Sequence, residues 1–533
     1  MTTTPQDQQQ RTTRIELDDD SAVVVIGSGA GGGTLAHELT EKGVKVVLLE
    51  AGPHLTSEDW VNDEWEAFHQ MAWLDPRTTT GSWRIARDFP NLPAWLVKAV
   101  GGTTTHWSGA TPRFKAHEFR TRSVYGRVDG ANLLDWPITL EDLAPYYDRA
   151  ERKIGSTHRH GRPPLPANNN YKVLAAGAQR LGYRHYATGP YGTNAEPYDG
   201  RPASVQDGFN FQGDKNRSEW STLVSEIPKA LRTGLLDLRP GCHAVQITHT
   251  EKGLVDSVVY VDGDGQVQRQ RARLVAVACN AIETPRLLML SASPLFPDGL
   301  ANSSGQLGRN YMRHTTGSVY AQFDRPVHMY RGETMAGIVA DESRHDVDRG
   351  FAGGYYMETI SLGPAFLASF GDPGAWGPDF TALLDGYENT AGMWVVGEDM
   401  PQETNRVTLN TAVTDHLGLP VPNVHFDDHP NDVAMRNHGY QQGCLLYESV
   451  GAVSTHRTPP YPATHNMGTA RMSERPEDGV TNAFGQTHDV PNLFVSDGSL
   501  FTTGAAANPT LTIVALATRQ ADYIAEQLAG RHL

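Results

Sequence analysis

Cysteine is scarce in this 533-residue chain, and the three present, Cys242, Cys279 and Cys444, lie far apart. No C-x-x-C or C-x-x-C-H spacing occurs, which argues against a zinc knuckle, a redox dithiol and a c-type haem site and fits a reducing, cytoplasmic compartment. Basic charge is short as well: 45 Lys and Arg stand against 61 Asp and Glu, a net charge of −16 with no basic run. Such a surface repels nucleic acid and anionic membranes, so neither is expected as a partner. No apolar run reaches the ~18 residues of a membrane span. The first twenty residues are polar and lack the apolar core of about 7 to 15 residues that a signal peptide needs, so positions 1–19 read as a disordered tail. His158, Arg159 and His160 have no third ligand at a recognisable spacing, and no metal is expected there.

Glycine, by contrast, is plentiful, and five of the 53 glycines fall between Gly27 and Gly33. Ala22 to Ile26 is a β-branched apolar run that suits a strand buried on both faces. It runs directly into Gly27-Ser28-Gly29-Ala30-Gly31-Gly32, a G-x-G-x-x-G loop. Helix formers follow to Lys42, Gly43 marks a stop, and Val44 to Leu49 is a second apolar run. In such a βαβ unit Gly27 makes the tight turn, Gly29 lets the backbone approach a pyrophosphate, and Gly32 lets the helix pack closely on the strand. Glu50, closing the second strand, is placed to accept both hydroxyls of an adenosine ribose. The unit predicts dinucleotide binding.

Farther along, Val100-Gly101-Gly102-Thr103-Thr104-Thr105-His106-Trp107-Ser108-Gly109 offers two glycines and small hydroxyl residues that permit close backbone approach to a flat ligand. Leu274 to Ala278 reads as another buried strand, followed by a helix from Ala281 to Ser291. Residues 319 to about 460 alternate short β-like runs with turns, which suits an antiparallel sheet. Its aromatics Tyr355, Tyr356, Trp376 and Trp394 are candidates to stack on a sugar ring or to pack the core. Asn508-Pro509 is a strong helix start, with Asn508 at the N-cap, Pro509 at the first position and Thr510 next.

The Gly27 loop, GGTTTHW, ACNAIETPRLL from Ala278, ATHNMGTARM from Ala463, PNLFVSDGS from Pro491 and ANPTLT from Ala507 together resemble the glucose-methanol-choline (GMC) oxidoreductase family. Within it, VGGTTTHWSGATPRF is similar to the flavin-attachment segment of pyranose oxidases and glycoside 3-oxidase-like flavoenzymes. The resemblance implies an α/β fold, α+β overall. A doubly wound FAD-binding domain would be assembled from residues 20–115, 210–310 and 480–533, with 116–209 connecting and a substrate domain on an antiparallel sheet at 311–479. It implies FAD as cofactor, held near Gly101, Gly102, Thr103, Trp107, Ser108, Val245, Asp497, Pro509 and Thr510, with a covalent link through His106 as one form of attachment. It also implies oxidation of a secondary hydroxyl of a small pyranose or glycoside to a ketone by hydride transfer to the flavin. His465 would be the general base and Asn508 its partner, with oxygen or another acceptor reoxidising the flavin. GQLGRNYMRH from Gly305 also suits the gluconate and fructose dehydrogenase branch, which uses quinone or haem partners; a non-catalytic nucleotide-binding protein is the other alternative.

Overall fold

The computed structural model describes residues 13–68, 71–73, 75–81, 94–372, 374–460 and 463–533. Val23–Ile26, Val46–Leu49 and Leu274–Val277 are runs of apolar residues in which every position is buried. Strands apolar on both faces can only be central, covered above and below by helices. They form the middle of a five-stranded parallel sheet in the order 493–495, 274–277, 23–26, 46–49, 236–239. Val25 pairs with Leu48 on one side and Ala276 on the other. Helix Ala30–Glu41 follows the glycine loop, and the C-terminal helix Thr510–Ala529 packs against it and against helix Leu140–Ile154. The last of these starts in a reciprocal capping box between Thr139 and Asp142, which satisfies two of its free N–H groups.

A second, antiparallel sheet has the order 454–457, 315–322, 390–397, 355–359, 338–339, 186–187. Thr390–Gly397 lies at its centre, with Val395 opposite Gly317 and Met357. Helix Pro430–Glu448 crosses it so closely that a Cβ on Gly317 would lie 2.2 Å from the Tyr440 hydroxyl. The fold is thus a parallel Rossmann-like sheet joined to antiparallel sheets. One hydrophobic core runs through both, from Val24 and Ile26 to Trp394 and Met467.

The N-terminus departs from expectation. Residues 1–12 lie outside the described residues, but 13–19 are not a free tail. Ile15 is buried, its N–H donates to Asp237 Oδ2 at 2.8 Å, and its carbonyl accepts from Arg239 Nη2 at 2.7 Å. The buried Asp237–Arg239 ion pair offers the edge of the parallel sheet a polar socket, and the segment fills it. Residues 82–93, in the stretch between Pro53 and Leu96 expected to be irregular, also lie outside the described residues.

Candidate active site

The glycine loop is shaped by contacts that a side chain would break. Gly27 has φ +95°, and a Cβ there would lie 2.3 Å from the Ala278 carbonyl oxygen. A Cβ on Gly31 would reach 1.7 Å from the Ser496 oxygen, and one on Gly32 1.9 Å from the Gly27 oxygen. These positions lock helix, loop and neighbouring strands together. Gly29 differs: a Cβ there would meet nothing nearer than Gly102 Cα at 4.0 Å, because this backbone faces open space.

That space is a cavity of about 450 Å³. At one end its wall is made by Gly27, Gly29, Glu50 and Asp497; at the other by Trp394, His465 and Asn508. Ser28 ties the near end together, although sequence reasoning gave it no role. Its hydroxyl donates to Glu50 Oε2 at 2.6 Å and accepts from Gly101 N–H at 3.0 Å, while its carbonyl accepts from Thr222 Oγ1 at 2.7 Å. Glu50 also accepts from the Ser28 and Gly52 N–H groups, yet burial holds its pKa above the usual carboxylate range. Asp497 fastens the second strand-turn-helix, accepting from Asn280 N–H at 3.0 Å, Thr284 Oγ1 at 2.6 Å and Ser499 N–H at 2.7 Å.

Gly102, Thr103, Trp107, Ser108, Pro509 and Thr510 lie on the cavity wall, whereas Gly32 and Gly101 sit just behind it. The Gly102 and Gly29 backbones cross here; a Cβ on Gly102 would lie 2.9 Å from Gly29 Cα. Val245 is not on the wall. Its neighbours Cys242, His243 and Ala244 are, because a bulge between Ala244 and Gln246 shifts the strand register and turns Val245 aside. His106 is not on the wall either. It is fully buried with its ring edge-on to Trp60, and the Thr105 hydroxyl, which donates to the Gly102 carbonyl, accepts from its Nδ1 at 2.8 Å. Burial lowers its pKa to about 4.

At the far end, His465 Nδ1 is 2.9 Å from His314 Nδ1, and the ring lies 5.7 Å from that of Trp394. Burial and the neighbouring His314 keep His465 well below its ordinary pKa, hence neutral. Asn508 is not the helix cap that its sequence suggested. The helix starts at Thr510 with Pro509 at its N-cap, and Ile513 N–H finds the Pro509 carbonyl. Freed from capping, the Asn508 side chain reaches Glu358 Oε2 at 3.4 Å, while its own Oδ1 is buried without a hydrogen bond. Glu358, in strand Tyr355–Thr359, is wholly buried and its pKa is pushed up to about 8. Sequence reasoning missed it; the only signal was a lone acid in the short run YYMET, whose five residues are all buried.

Of the aromatic candidates, only Trp394 reaches the cavity. Tyr355 hydrogen-bonds His438 in another core cluster, Tyr356 is buried away from the cavity, and Trp376 is 88% exposed. Met335, Ile360, Leu362 and Phe366 add apolar side chains to the wall, and Thr464 and Asn466 flank His465 on it.

A Rossmann-like sheet whose glycine loop opens onto a cavity ending at a neutral, buried histidine defines a dinucleotide-dependent oxidoreductase. The particular family comes from comparison with known proteins. GMC oxidoreductase family models match residues 90–316 and 401–517, and a NAD(P)-binding Rossmann-like domain model matches residues 25–89. The chain is 36% identical to 2-methyl-1,2-propanediol dehydrogenase of Mycolicibacterium austroafricanum, over 94% of each chain. It is 30% identical to 6'''-hydroxyparomomycin C oxidase of Streptomyces lividus, over 94% of this chain and 91% of that one. In fold it is similar to pyridoxine 4-oxidase from Mesorbium loti, with a TM-score of 0.65, 18% identity, and coverage of 95% of this chain and 99% of that one. The protein belongs to the GMC oxidoreductase family and is an FAD-dependent oxidoreductase acting on CH–OH groups. The cavity fits that cofactor, with bare backbone at Gly29 and Gly102, an acid at Glu50 and the start of helix Thr510–Ala529 on its wall. Among the described residues no helix is long and apolar enough to cross a membrane.

Proposed function

We propose that this protein oxidises a secondary hydroxyl of a pyranose sugar or glycoside to the ketone, with His465 as general base and Asn508 as donor to the same oxygen. An alcohol is a poor hydride donor until its oxygen gains alkoxide character, so a base must take the hydroxyl proton as the carbon gives up hydride. When bound, FAD supplies the hydride acceptor. A neutral imidazole can accept the proton, and an amide N–H can hold the developing negative charge without titrating. The observation that carries this reading is convergence: the dinucleotide loop, His465 and Asn508 lie on the wall of one cavity although the loop and the two residues come from opposite ends of the sequence.

Glu358 completes the arrangement. Near pH 7 it carries its proton; with the Asn508 amide turned end for end, so that Oδ1 takes the place of the nitrogen now 3.4 Å from Glu358 Oε2, an O–H donated to that oxygen would satisfy it and leave both amide hydrogens for the substrate side. In this reading residues 20–115, 210–310 and 480–533 hold the cofactor and 311–479 the substrate. Three free cysteines suit a cytoplasmic setting.

A short branched diol is a second substrate reading. It is favoured by Met335, Ile360, Leu362 and Phe366 on the wall, which offer a hydroxylated ring no hydrogen bonds, and by the activity of the 36%-identical diol dehydrogenase. Mixing the yellow holoenzyme anaerobically with a panel of sugars, glycosides and branched diols separates the two, since the substrate class is the one that bleaches the flavin. Hydrogen peroxide in air would mark an oxidase. Reduction of a quinone or cytochrome without peroxide would mark a dehydrogenase with a separate acceptor.

A further inference from the structure

Behind His465 stands a second histidine, the last residue of the GQLGRNYMRH segment, to which sequence reasoning gave no role. His314 is fully buried, and its two ring nitrogens are both engaged: Nδ1 faces His465 Nδ1 at 2.9 Å, and Nε2 lies 3.0 Å from the Gly504 carbonyl oxygen. A carbonyl oxygen can only accept, so His314 Nε2 must carry a hydrogen. A neutral imidazole has one hydrogen, which leaves His314 Nδ1 as a lone pair. That lone pair can only be answered by an N–H, so His465 carries its hydrogen at Nδ1 and presents Nε2 unprotonated. Resting on the reading of His465 as the base, we infer that His314 is a positioning residue that fixes the His465 tautomer, so that Nε2, the nitrogen left without a partner, is the one that accepts the substrate proton.

Two further observations support this. Burial lowers the His314 pKa to about 4, so it stays neutral through the working range and does not compete for the proton. The backbone is also held in an uncommon shape at both ends of the relay: His314 has φ 70° and Ala505, next to Gly504, has φ 55°. Non-glycine residues in the left-handed region cost energy and persist where the surroundings impose them. Here Arg313 N–H is tied to Asp399 Oδ2 at 2.6 Å, and a Cβ on Gly504 would lie 3.2 Å from Asp399 Oδ1 and 3.5 Å from the His314 ring, so the loop carrying the accepting carbonyl is held close to the His314 donor. The chain of hydrogen bonds ends at a carbonyl that cannot take a proton. It therefore orients the base and does not drain it.

The test uses holoenzyme labelled with ¹⁵N-histidine, in which the His465 signals are assigned by their loss in His465→Ala. The expected spectrum has His465 protonated at Nδ1 and bare at Nε2. His314→Leu keeps bulk but removes the acceptor; the tautomer pattern should be lost and flavin reduction at saturating alcohol should slow by about 10-fold, less than the ~10²–10⁴-fold that loss of the base itself costs, with FAD content unchanged. His314→Gln, whose amide oxygen can accept from His465 and whose N–H can donate to Gly504, should restore both. A wild-type spectrum with His465 protonated at Nε2 overturns the inference, even if His314→Leu fails to retain FAD. So does a His314→Leu enzyme that reduces flavin at the wild-type rate. The reading of His465 as base fails separately, by a normal rate in His465→Ala.

Discussion

Glu358 is where residue chemistry gives the sharpest expectation. With a pKa of about 8 it is protonated at neutrality, and its neutral O–H is what can serve Asn508. Glu358→Gln keeps an N–H donor at that place, so its flavin-reduction rate should match wild type near pH 7 and, unlike wild type, should not decline as pH passes about 8. Glu358→Leu should be slow at every pH. Stability carries the same sign. A carboxyl whose pKa is raised on folding favours the folded state below its unfolded value of 4.5, and that contribution is lost as pH rises through about 8. Melting temperatures against pH should therefore show wild type losing ground to Glu358→Gln between those limits. Parallel curves would mean that Glu358 is ionised in the folded protein.

At the level of elements, the glycine loop separates packing from ligand contact. Gly31→Ala drives a Cβ to 1.7 Å from a backbone oxygen that cannot yield, so it should destabilise the fold by more than the roughly 1–3 kcal/mol typical of overpacking. Gly29→Ala meets nothing nearer than Gly102 Cα at 4.0 Å and has an ordinary φ of −66°, so it should fold as wild type yet hold FAD weakly. Circular dichroism of apoprotein with flavin titration checks both; a well-folded, FAD-replete Gly29→Ala would mean that the backbone does not approach the pyrophosphate there. The strand-turn-helix that carries these glycines was legible in sequence, because strand, turn and helix chemistry are local. So were the two sheets and the segments carrying His465 and Asn508. What sequence could not give is partnership across distance. Ser28 with Gly101, Asp497 with Thr284, and Glu358 with Asn508 are pairs 73, 213 and 150 residues apart. The errors were local geometry overruled by tertiary demand: Asn508 gives up its cap to face the cavity, Val245 yields the wall at a bulge, and residues 13–19 find a buried ion pair to bind.

Across the whole molecule, the glycine loop, His465 and Asn508 meet on the wall of one cavity, built from chain segments that also share one core. The placement of His106 behind the wall, packed on Trp60, predicts that acid precipitation releases the yellow colour to the supernatant. A yellow pellet would mean that the imidazole turns out to the flavin. The central claim is that cofactor binding and proton removal are separable tasks of that one cavity, the second resting on His465. Anaerobic stopped-flow reduction of His465→Ala holoenzyme at saturating substrate tests it most directly. His465→Ala should keep full FAD content and reduce its flavin ~10²–10⁴-fold more slowly; reduction at the wild-type rate would contradict a role for His465 in proton removal.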